Sequence, residues 1–160
     1  MKIWIMRHAE AGFNAPSDSL RTLTPDGLAM AKAQGKKLGE QFKQQHIALD
    51  KLLVSPYIRA MQTKEALIEG MQAVDFSQNF ANIEEQWDGI TPDGIAESVL
   101  DYLSFLREEG ARNVLIVSHL PLVFELVQAL TQFQASVHFY PAVVAEIDWH
   151  RNNGQLISSI

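Results

Sequence analysis

Three short runs of apolar residues mark buried strands. Residues 1–6 are rich in Ile and Trp, residues 51–54 read Lys-Leu-Leu-Val, and residues 113–117 contain Val, Leu and Ile in succession. Unbroken apolar runs of this length are typical of strands that are covered on both faces. Each run stops abruptly at polar residues, so any chemistry is expected to begin where a strand ends.

Between the strands, apolar residues recur at helical spacing. Thr24, Pro25 and Asp26 supply an N-cap, a proline at the first helical position and an acid in the first turn. Two apolar stripes at spacings of three and four then predict amphipathic helices: Leu28, Ala31, Gly35, Leu38 and Phe42, and Ile95, Val99, Leu103 and Leu106, ending near Gly110. Pro56 and Pro121 follow the second and third strands and predict that helices start there.

The remaining segments complete the predicted fold. Residues 11–21 form a polar loop, and residues 74–94 form a long irregular connection that could rim a substrate site. Residues 142–149 and 155–159 flank Asn152-Asn153-Gly154 and predict a hairpin. Strands that alternate with helices and close in a C-terminal hairpin predict an α/β fold, a three-layer α/β/α sandwich with a mostly parallel central sheet, formed by one domain of residues 1–160.

Composition narrows the class of protein. The chain has 160 residues, a formal net charge of -6 and no cysteine. The charge argues against a nucleic-acid partner, because binding to nucleic acid requires Lys and Arg to neutralise phosphates. Without cysteine, disulfides and thiolate metal sites are excluded, which fits a cytoplasmic protein. Arg7 and Glu10 interrupt any signal peptide, and polar residues interrupt the longest apolar stretch, so no membrane span is expected.

Polar residues able to bind an anion follow each strand. Arg7 and His8 end the first strand, Arg59 lies in the first turn of the helix after the second, and His119 follows the third. If these strands are parallel neighbours, the four side chains meet in one crevice. Two arginines and two histidines in one place favour a bound anion, because the positive charges otherwise repel. His119 is therefore expected to lose its proton readily in the empty site and to regain it beside phosphate.

These residues also carry a family resemblance. Arg7-His8-Ala9, Leu23-Thr24-Pro25-Asp26-Gly27, the segment 55–63 (Ser-Pro-Tyr-Ile-Arg-Ala-Met-Gln-Thr) and Val117-Ser118-His119 resemble, in order, the motifs of the histidine phosphatase superfamily. The motifs span residues 5–121 and are specific together, although singly none would be. The resemblance implies a phosphoglycerate mutase-like fold. The small size and the stretch 17–21 are most similar to SixA-type phosphohistidine phosphatases.

The resemblance implies a role for each matched residue. His8 would be the nucleophile that forms a phosphohistidine intermediate, and Arg7, Arg59 and His119 would bind the phosphoryl oxygens and stabilise the developing charge. Arg21 is a weaker candidate for the same pocket or its rim. The implied substrate is a phosphohistidine-bearing phosphorelay or phosphocarrier protein, the product is phosphate, and no cofactor or metal is implied.

Three positions leave questions open. The glycine that the family has after the nucleophile is Ala9 here, which suggests an ordinary backbone φ. Glu85 matches the proton donor of acid-bearing relatives in register, whereas the stretch 90–94 is more similar to SixA-type relatives, and in that interpretation Glu85 is only a solvated loop acid. Asn14 matches a phosphate-contacting Asn of the mutase-like branch, and a turn-forming Asn is at least as plausible.

Two other functions stay open beside the phosphohistidine phosphatase. One is a phosphatase of small phosphoesters, which belongs to the same chemical class. The other is a non-catalytic module that binds phosphate or a phosphoprotein, although such a binder would have no need of His8. In each case we expect a monomer.

Overall fold

The computed structural model describes residues 1–160 and contains six strands and four α-helices. The strands are β1 (Lys2–Arg7), β2 (Lys51–Val54), β3 (Glu84–Gln86), β4 (Asn113–Ser118), β5 (Val144–His150) and β6 (Asn153–Ser159). The helices are α1 (Pro25–Gln45), α2 (Ile58–Ala73), α3 (Ala96–Glu108) and α4 (Leu122–Leu130). Short 3-10 helices lie at Asp18–Leu20, Phe80–Asn82 and Asp88–Ile90.

All six strands form one sheet in the order β3-β2-β4-β1-β5-β6. The first four strands of this order are parallel to one another. β5 runs antiparallel to β1, and β6 runs antiparallel to β5. The predicted α/β fold, with a mostly parallel sheet that closes in a C-terminal hairpin, is confirmed. β1 and β4 pair so that Arg7 lies opposite Ser118, and Val54 of β2 lies opposite Val117. The carboxyl ends of the three central strands therefore meet at one edge.

Helices cover both faces of the sheet. Trp4 and Met6 point to one side, where the core includes Leu38 and Phe42 of α1 together with Leu67 of α2. Ile3 and Ile5 alternate with them and point to the other side, where the core includes Val99, Leu103 and Leu126 of α3 and α4. This alternation explains why β1 has to be apolar on both faces. None of the helices is long and apolar enough to cross a membrane.

The N-terminal end of α1 forms as the sequence predicts. Thr24 precedes the helix in an extended conformation, and its side-chain oxygen accepts a hydrogen bond from the Gly27 N–H at 3.0 Å. Pro25 occupies the first turn, where its missing N–H costs nothing. The capped end lies beside Glu10, because the Thr24 hydroxyl also donates to the Glu10 carboxylate at 2.8 Å. The start of α1 is thus fixed close to the end of β1.

Three details of the predicted elements are wrong. The connection 74–94 contains β3, a three-residue edge strand that pairs with β2 in parallel. Its sequence, Glu-Glu-Gln, lacks the apolar alternation that marks a strand, and backbone pairing with β2 forms it instead. Ile95 was expected in the buried stripe of α3 but is 64% exposed, because it precedes the first turn of the helix. Leu28 was expected in the stripe of α1 but is 45% exposed, because the buried face of that helix begins at Gly27 instead.

Candidate active site

The sheet brings the four predicted side chains to one corner. His8 directly follows β1, and its N–H donates to the Ser118 carbonyl at 2.9 Å. His119 directly follows β4, and its ring centroid lies 5.1 Å from that of His8. Arg59, in the first turn of α2, donates through Nε to Nε2 of His8 at 3.3 Å. Arg7, His8, Arg59 and His119 therefore share a crevice at the carboxyl edge of the sheet.

The two ring nitrogens of His8 have different partners. Nδ1 lies 2.7 Å from the Ala9 carbonyl oxygen, so this nitrogen carries the hydrogen and donates it. Nε2 carries the only free lone pair of the ring, and this lone pair accepts the hydrogen bond from Nε of Arg59. Burial is the main reason that the pKa of His8 is lowered to about 4, and the nearby charges of Arg59 and Arg7 lower it further. At neutral pH the ring is therefore uncharged.

His119 is anchored on one side and free of partners on the other. Its Nε2 lies 2.7 Å from the Ser55 hydroxyl, and its ring packs against Tyr57 with centroids 5.1 Å apart. Its Nδ1 is buried and has no hydrogen-bond partner. Burial, followed by the influence of His8 and Arg59, lowers the pKa of His119 to about 3. The ring is therefore neutral in the empty site, as the sequence-based argument expects.

The guanidinium groups of Arg7 and Arg59 are held by backbone carbonyls. Arg7 donates through Nη1 to the Phe139 carbonyl at 2.9 Å, while its Nε is buried without a partner. Arg59 donates through Nη1 to the Asp18 carbonyl at 2.6 Å. Burial, together with Arg21 and Arg59, lowers the pKa of Arg7. Arg7 thus has an N–H that is directed at no protein acceptor, a feature that suits an anionic ligand.

Arg21 borders the same corner. Its Nε donates to the Gly12 carbonyl at 2.8 Å, and its Nη1 lies 3.1 Å from Oδ1 of Asp18. The ring of Phe13 lies under its guanidinium, with 4.0 Å between Cζ and the ring centroid. The structure therefore places Arg21 at the rim, linked to Arg59 through Asp18.

Asp18 is a residue of this site that the sequence analysis did not identify. Its Oδ2 lies 3.1 Å from Nη2 of Arg59, so one carboxylate pairs with two arginines. Partial desolvation acts to raise the pKa of Asp18, but hydrogen bonds and charge contacts with Arg21 and Arg59 outweigh it and hold the pKa below its usual value. In the sequence, Asp18 was marked only by its position inside the stretch 17–21, which resembles SixA-type phosphatases.

Glu85 and Asn14 lie outside this cluster of contacts. The Glu85 carboxylate accepts a hydrogen bond from the Tyr102 hydroxyl at 2.5 Å and pairs with Lys51 at 3.3 Å. Desolvation and the hydrogen bond to Glu85 raise the pKa of Tyr102 to about 12. Asn14 is exposed and forms no side-chain hydrogen bond. Neither side chain forms a hydrogen bond or an ion pair with Arg7, His8, Arg59 or His119.

Ala9 fits the position where the family resemblance expects glycine. It is fully buried, and its N–H donates to the Thr63 hydroxyl at 3.0 Å. Ala9 is not among the residues with positive φ, so its backbone is ordinary, as expected. Its methyl group therefore adds no strain to the segment that carries His8.

The chemistry of the cluster is that of an anion site. No group of three or more His, Asp or Glu side chains lies close enough together to hold a metal ion. The cluster instead combines an imidazole lone pair with guanidinium donors and a second histidine, which suits nucleophilic attack on a phosphoryl group.

Comparison with known proteins agrees with this geometry. The sequence model of the histidine phosphatase superfamily (branch 1) matches residues 3–107, about two-thirds of the chain. The chain belongs to the histidine phosphatase superfamily. The matched region contains Arg7, His8 and Arg59, while His119 lies beyond it.

Individual members of this superfamily are similar over nearly the whole chain. The phosphohistidine phosphatase SixA homolog of Haemophilus influenzae is 43% identical over 158 residues, which are 98% of this chain and 93% of that protein. A solved structure of the protein histidine phosphatase SixA complexed with tungstate has 32% identity and a TM-score of 0.83, covering 100% of this chain and 96% of that one. The resemblance to SixA-type phosphatases is confirmed.

A more distant structure shows the fold alone. The phosphoglycerate mutase of Bacillus anthracis str. Sterne is 14% identical, with a TM-score of 0.74, and the match covers 99% of this chain and 92% of that one. This likeness confirms the predicted phosphoglycerate mutase-like fold.

Proposed function

We propose that this protein is a phosphohistidine phosphatase that removes the phosphoryl group from a histidine of a partner protein through a phosphorylated His8. The observation that carries the proposal is the surroundings of His8: Nε–H of Arg59 is the hydrogen-bond partner of its Nε2 lone pair, and the neighbouring Arg7 and His119 each have a buried nitrogen without a partner, Nε and Nδ1. The similar proteins described above are a phosphohistidine phosphatase SixA homolog and the protein histidine phosphatase SixA, which supports the same reaction here.

The first half-reaction transfers the phosphoryl group to the enzyme. The lone pair on His8 Nε2 attacks phosphorus, a new N–P bond forms, and the N–P bond to the substrate imidazole breaks. The bonding electrons stay on the substrate nitrogen, whose ring leaves as a neutral imidazole when its other nitrogen is protonated. The hydrogen bond from His8 Nδ1 to the Ala9 carbonyl stabilises the positive charge that develops on the His8 ring.

In the second half-reaction, water attacks the phosphorus of phosphorylated His8. Its oxygen forms the new P–O bond, the electrons of the N–P bond return to Nε2, and the protons of the water leave with the phosphate or pass to solvent. Arg59 and Arg7 donate to the equatorial oxygens in both steps. His119, once protonated, donates from Nδ1 to the same group while Nε2 remains with Ser55.

The available carboxylates favour a phosphohistidine over an ester. The conjugate acid of imidazole has a pKa of about 6.5, so the leaving group needs little help, whereas an alkoxide needs a proton donor. The Glu85 carboxylate is engaged by Tyr102 and Lys51. Asp18, with its lowered pKa, is ionised at neutral pH and has no proton to give.

The decisive experiment follows ³²P from a phosphohistidine protein. The wild-type enzyme is expected to release ³²P-phosphate and, after rapid alkaline quenching, to carry transient label itself. His8→Ala should lose both release and label, because it removes the nitrogen that would carry the phosphoryl group. It should retain its circular dichroism spectrum, because the backbone hydrogen bond from His8 to Ser118 is kept. Substantial turnover by folded His8→Ala would contradict the covalent route, and failure of the wild type to release phosphate would contradict the function.

A further inference from the structure

One carboxylate forms ion pairs with the cations of the crevice. Asp18 opens the short 3-10 helix Asp18–Leu20 and places Oδ1 on Arg21 and Oδ2 on Arg59, each at 3.1 Å. Its backbone carbonyl accepts from Nη1 of the same Arg59. The side chain of Asp18 is 58% exposed, whereas that of Arg59 is 4% exposed. The Asp18 side chain therefore contributes little to packing, but it binds the terminal nitrogens of the buried Arg59 guanidinium together with its own backbone carbonyl.

We infer that Asp18 is a positioning residue, whose carboxylate holds Arg59 and Arg21 in place for the phosphoryl group. This inference rests on the proposed function, since it assigns Asp18 to the same site. The reaction itself does not need Asp18 to touch the substrate.

The donor pattern of Arg59 carries the inference. A guanidinium presents five N–H groups in one rigid plane, so fixing one end fixes the other. Asp18 binds both terminal nitrogens of Arg59, one through its carboxylate and one through its carbonyl. The remaining Nε–H then points at Nε2 of His8, at 3.3 Å. A phosphoryl group on that nitrogen would take over the Nε–H while the contacts to Asp18 persist.

Charge balance supports the same role. Arg7, Arg21 and Arg59 bring three positive charges to the crevice, and Asp18 lowers the net charge to two. With both histidines neutral, this value equals the charge of a phosphoryl dianion in magnitude and is opposite in sign. Without Asp18, the arginines would repel one another in the empty site and move apart, which would weaken their alignment.

The opposite role makes the opposite prediction. If the Asp18 carboxylate merely occupied the place of the substrate, its removal would free Arg59 and strengthen anion binding. If it positions Arg59, its removal should weaken binding. Because the two signs differ, one binding measurement separates them.

The experiment compares wild type, Asp18→Asn and Asp101→Asn by tungstate calorimetry and by turnover of a phosphohistidine protein. Asp18→Asn keeps the backbone carbonyl and the side-chain shape, and it should weaken tungstate binding and lower kcat by about 10- to 100-fold, the range for a displaced catalytic group. Asp101 is exposed on α3, so Asp101→Asn makes the same charge change away from the crevice and should leave both values unchanged.

Coupling to Arg21 distinguishes positioning from general stability. We expect the double variant Asp18→Asn/Arg21→Gln to lose less tungstate binding free energy than the sum of the losses of the two single variants. All three variants should keep the melting temperature of the wild type. Unchanged or tighter tungstate binding by Asp18→Asn would overturn the inference, as would fully additive losses. Tungstate binding does not depend on turnover, so a wild type that binds tungstate but releases no phosphate would count only against the proposed function.

Discussion

The ring of His8 has its two nitrogens in contrasting surroundings. A carbonyl oxygen fixes the hydrogen on Nδ1, and Arg59 faces the lone pair of Nε2. Because burial and the neighbouring cations hold the pKa of His8 near 4, the lone pair is available at neutral pH without a separate base. The uncharged state of this ring at neutral pH is therefore a property of its environment.

The role of Glu85 gives a prediction at the same scale. Glu85→Gln should change turnover of a phosphohistidine protein by less than about threefold, because its contacts are to Tyr102 and Lys51 and the leaving imidazole needs little acid. Initial rates with a ³²P-labelled phosphohistidine protein provide the measurement.

The control for Glu85 is Tyr102→Phe, which removes the hydroxyl that holds the carboxylate. It should have an equally small effect on turnover. A loss of about 10²–10⁴-fold in Glu85→Gln alone would show that Glu85 is a general acid, as in the acid-bearing relatives of the superfamily.

Some site residues could be predicted from sequence and others could not. Arg7, His8 and His119 directly follow apolar runs, so strand ends alone place them together. Asp18 has no such signal, because it lies in a polar loop and acquires its role only when Arg59, 41 residues away in the chain, folds beside it. Residue types in loops do not show their partners.

At the scale of elements, the contact between α1 and α2 depends on two glycines. A Cβ atom at Gly35 would lie 2.0 Å from the Leu67 carbonyl oxygen, and one at Gly70 would lie 2.1 Å from that of Lys32. The two helices therefore approach backbone to backbone. Since α2 carries Arg59 in its first turn, this contact also sets the position of the arginine relative to His8.

Gly70→Ala is accordingly expected to destabilise the fold. Neither backbone can yield easily to the added methyl group, so the free energy of unfolding should fall by about 1–3 kcal/mol, despite the better helix propensity of alanine. Urea denaturation followed by circular dichroism measures the change. Gly12→Ala is the matched control, because its nearest neighbour would be 4.0 Å away, and equal stability losses in both variants would contradict the argument.

The elements themselves differ in how far sequence predicts them. Strands β1, β2 and β4 and helices α1 and α3 follow from apolar pattern, because each must bury a whole face. Strand β3 does not, since Glu84–Gln86 is polar and partly exposed and gains its structure from the edge of β2. An edge strand of three residues depends on a partner that local sequence does not describe.

For the whole molecule, the empty crevice couples proton binding to stability. Both histidines have a pKa near 6.5 in the unfolded chain, against about 4 for His8 and about 3 for His119 in the folded protein. Between these values the unfolded chain binds more protons, so the stability of the empty protein should fall as the pH decreases from about 6.5 towards 4. Above pH 6.5 the two histidines contribute no further change.

A bound dianion should reverse this dependence. Sulfate keeps two negative charges from pH 5 to pH 8, and in the crevice it would favour protonated His119, whose Nδ1 has no other partner. Sulfate affinity should therefore rise as the pH falls, by up to about tenfold per unit for each proton taken up. The increase in melting temperature caused by sulfate should be larger at pH 5.5 than at pH 8, although the empty protein is less stable at pH 5.5. Calorimetry in buffers of different ionisation enthalpy counts the protons directly.

His119→Gln is the control, and it should bind sulfate with a smaller proton uptake. Equal uptake in the two proteins would show that another group, such as His8, takes the proton, and the absence of uptake in wild type would contradict a coupling between the charge of His119 and the anion.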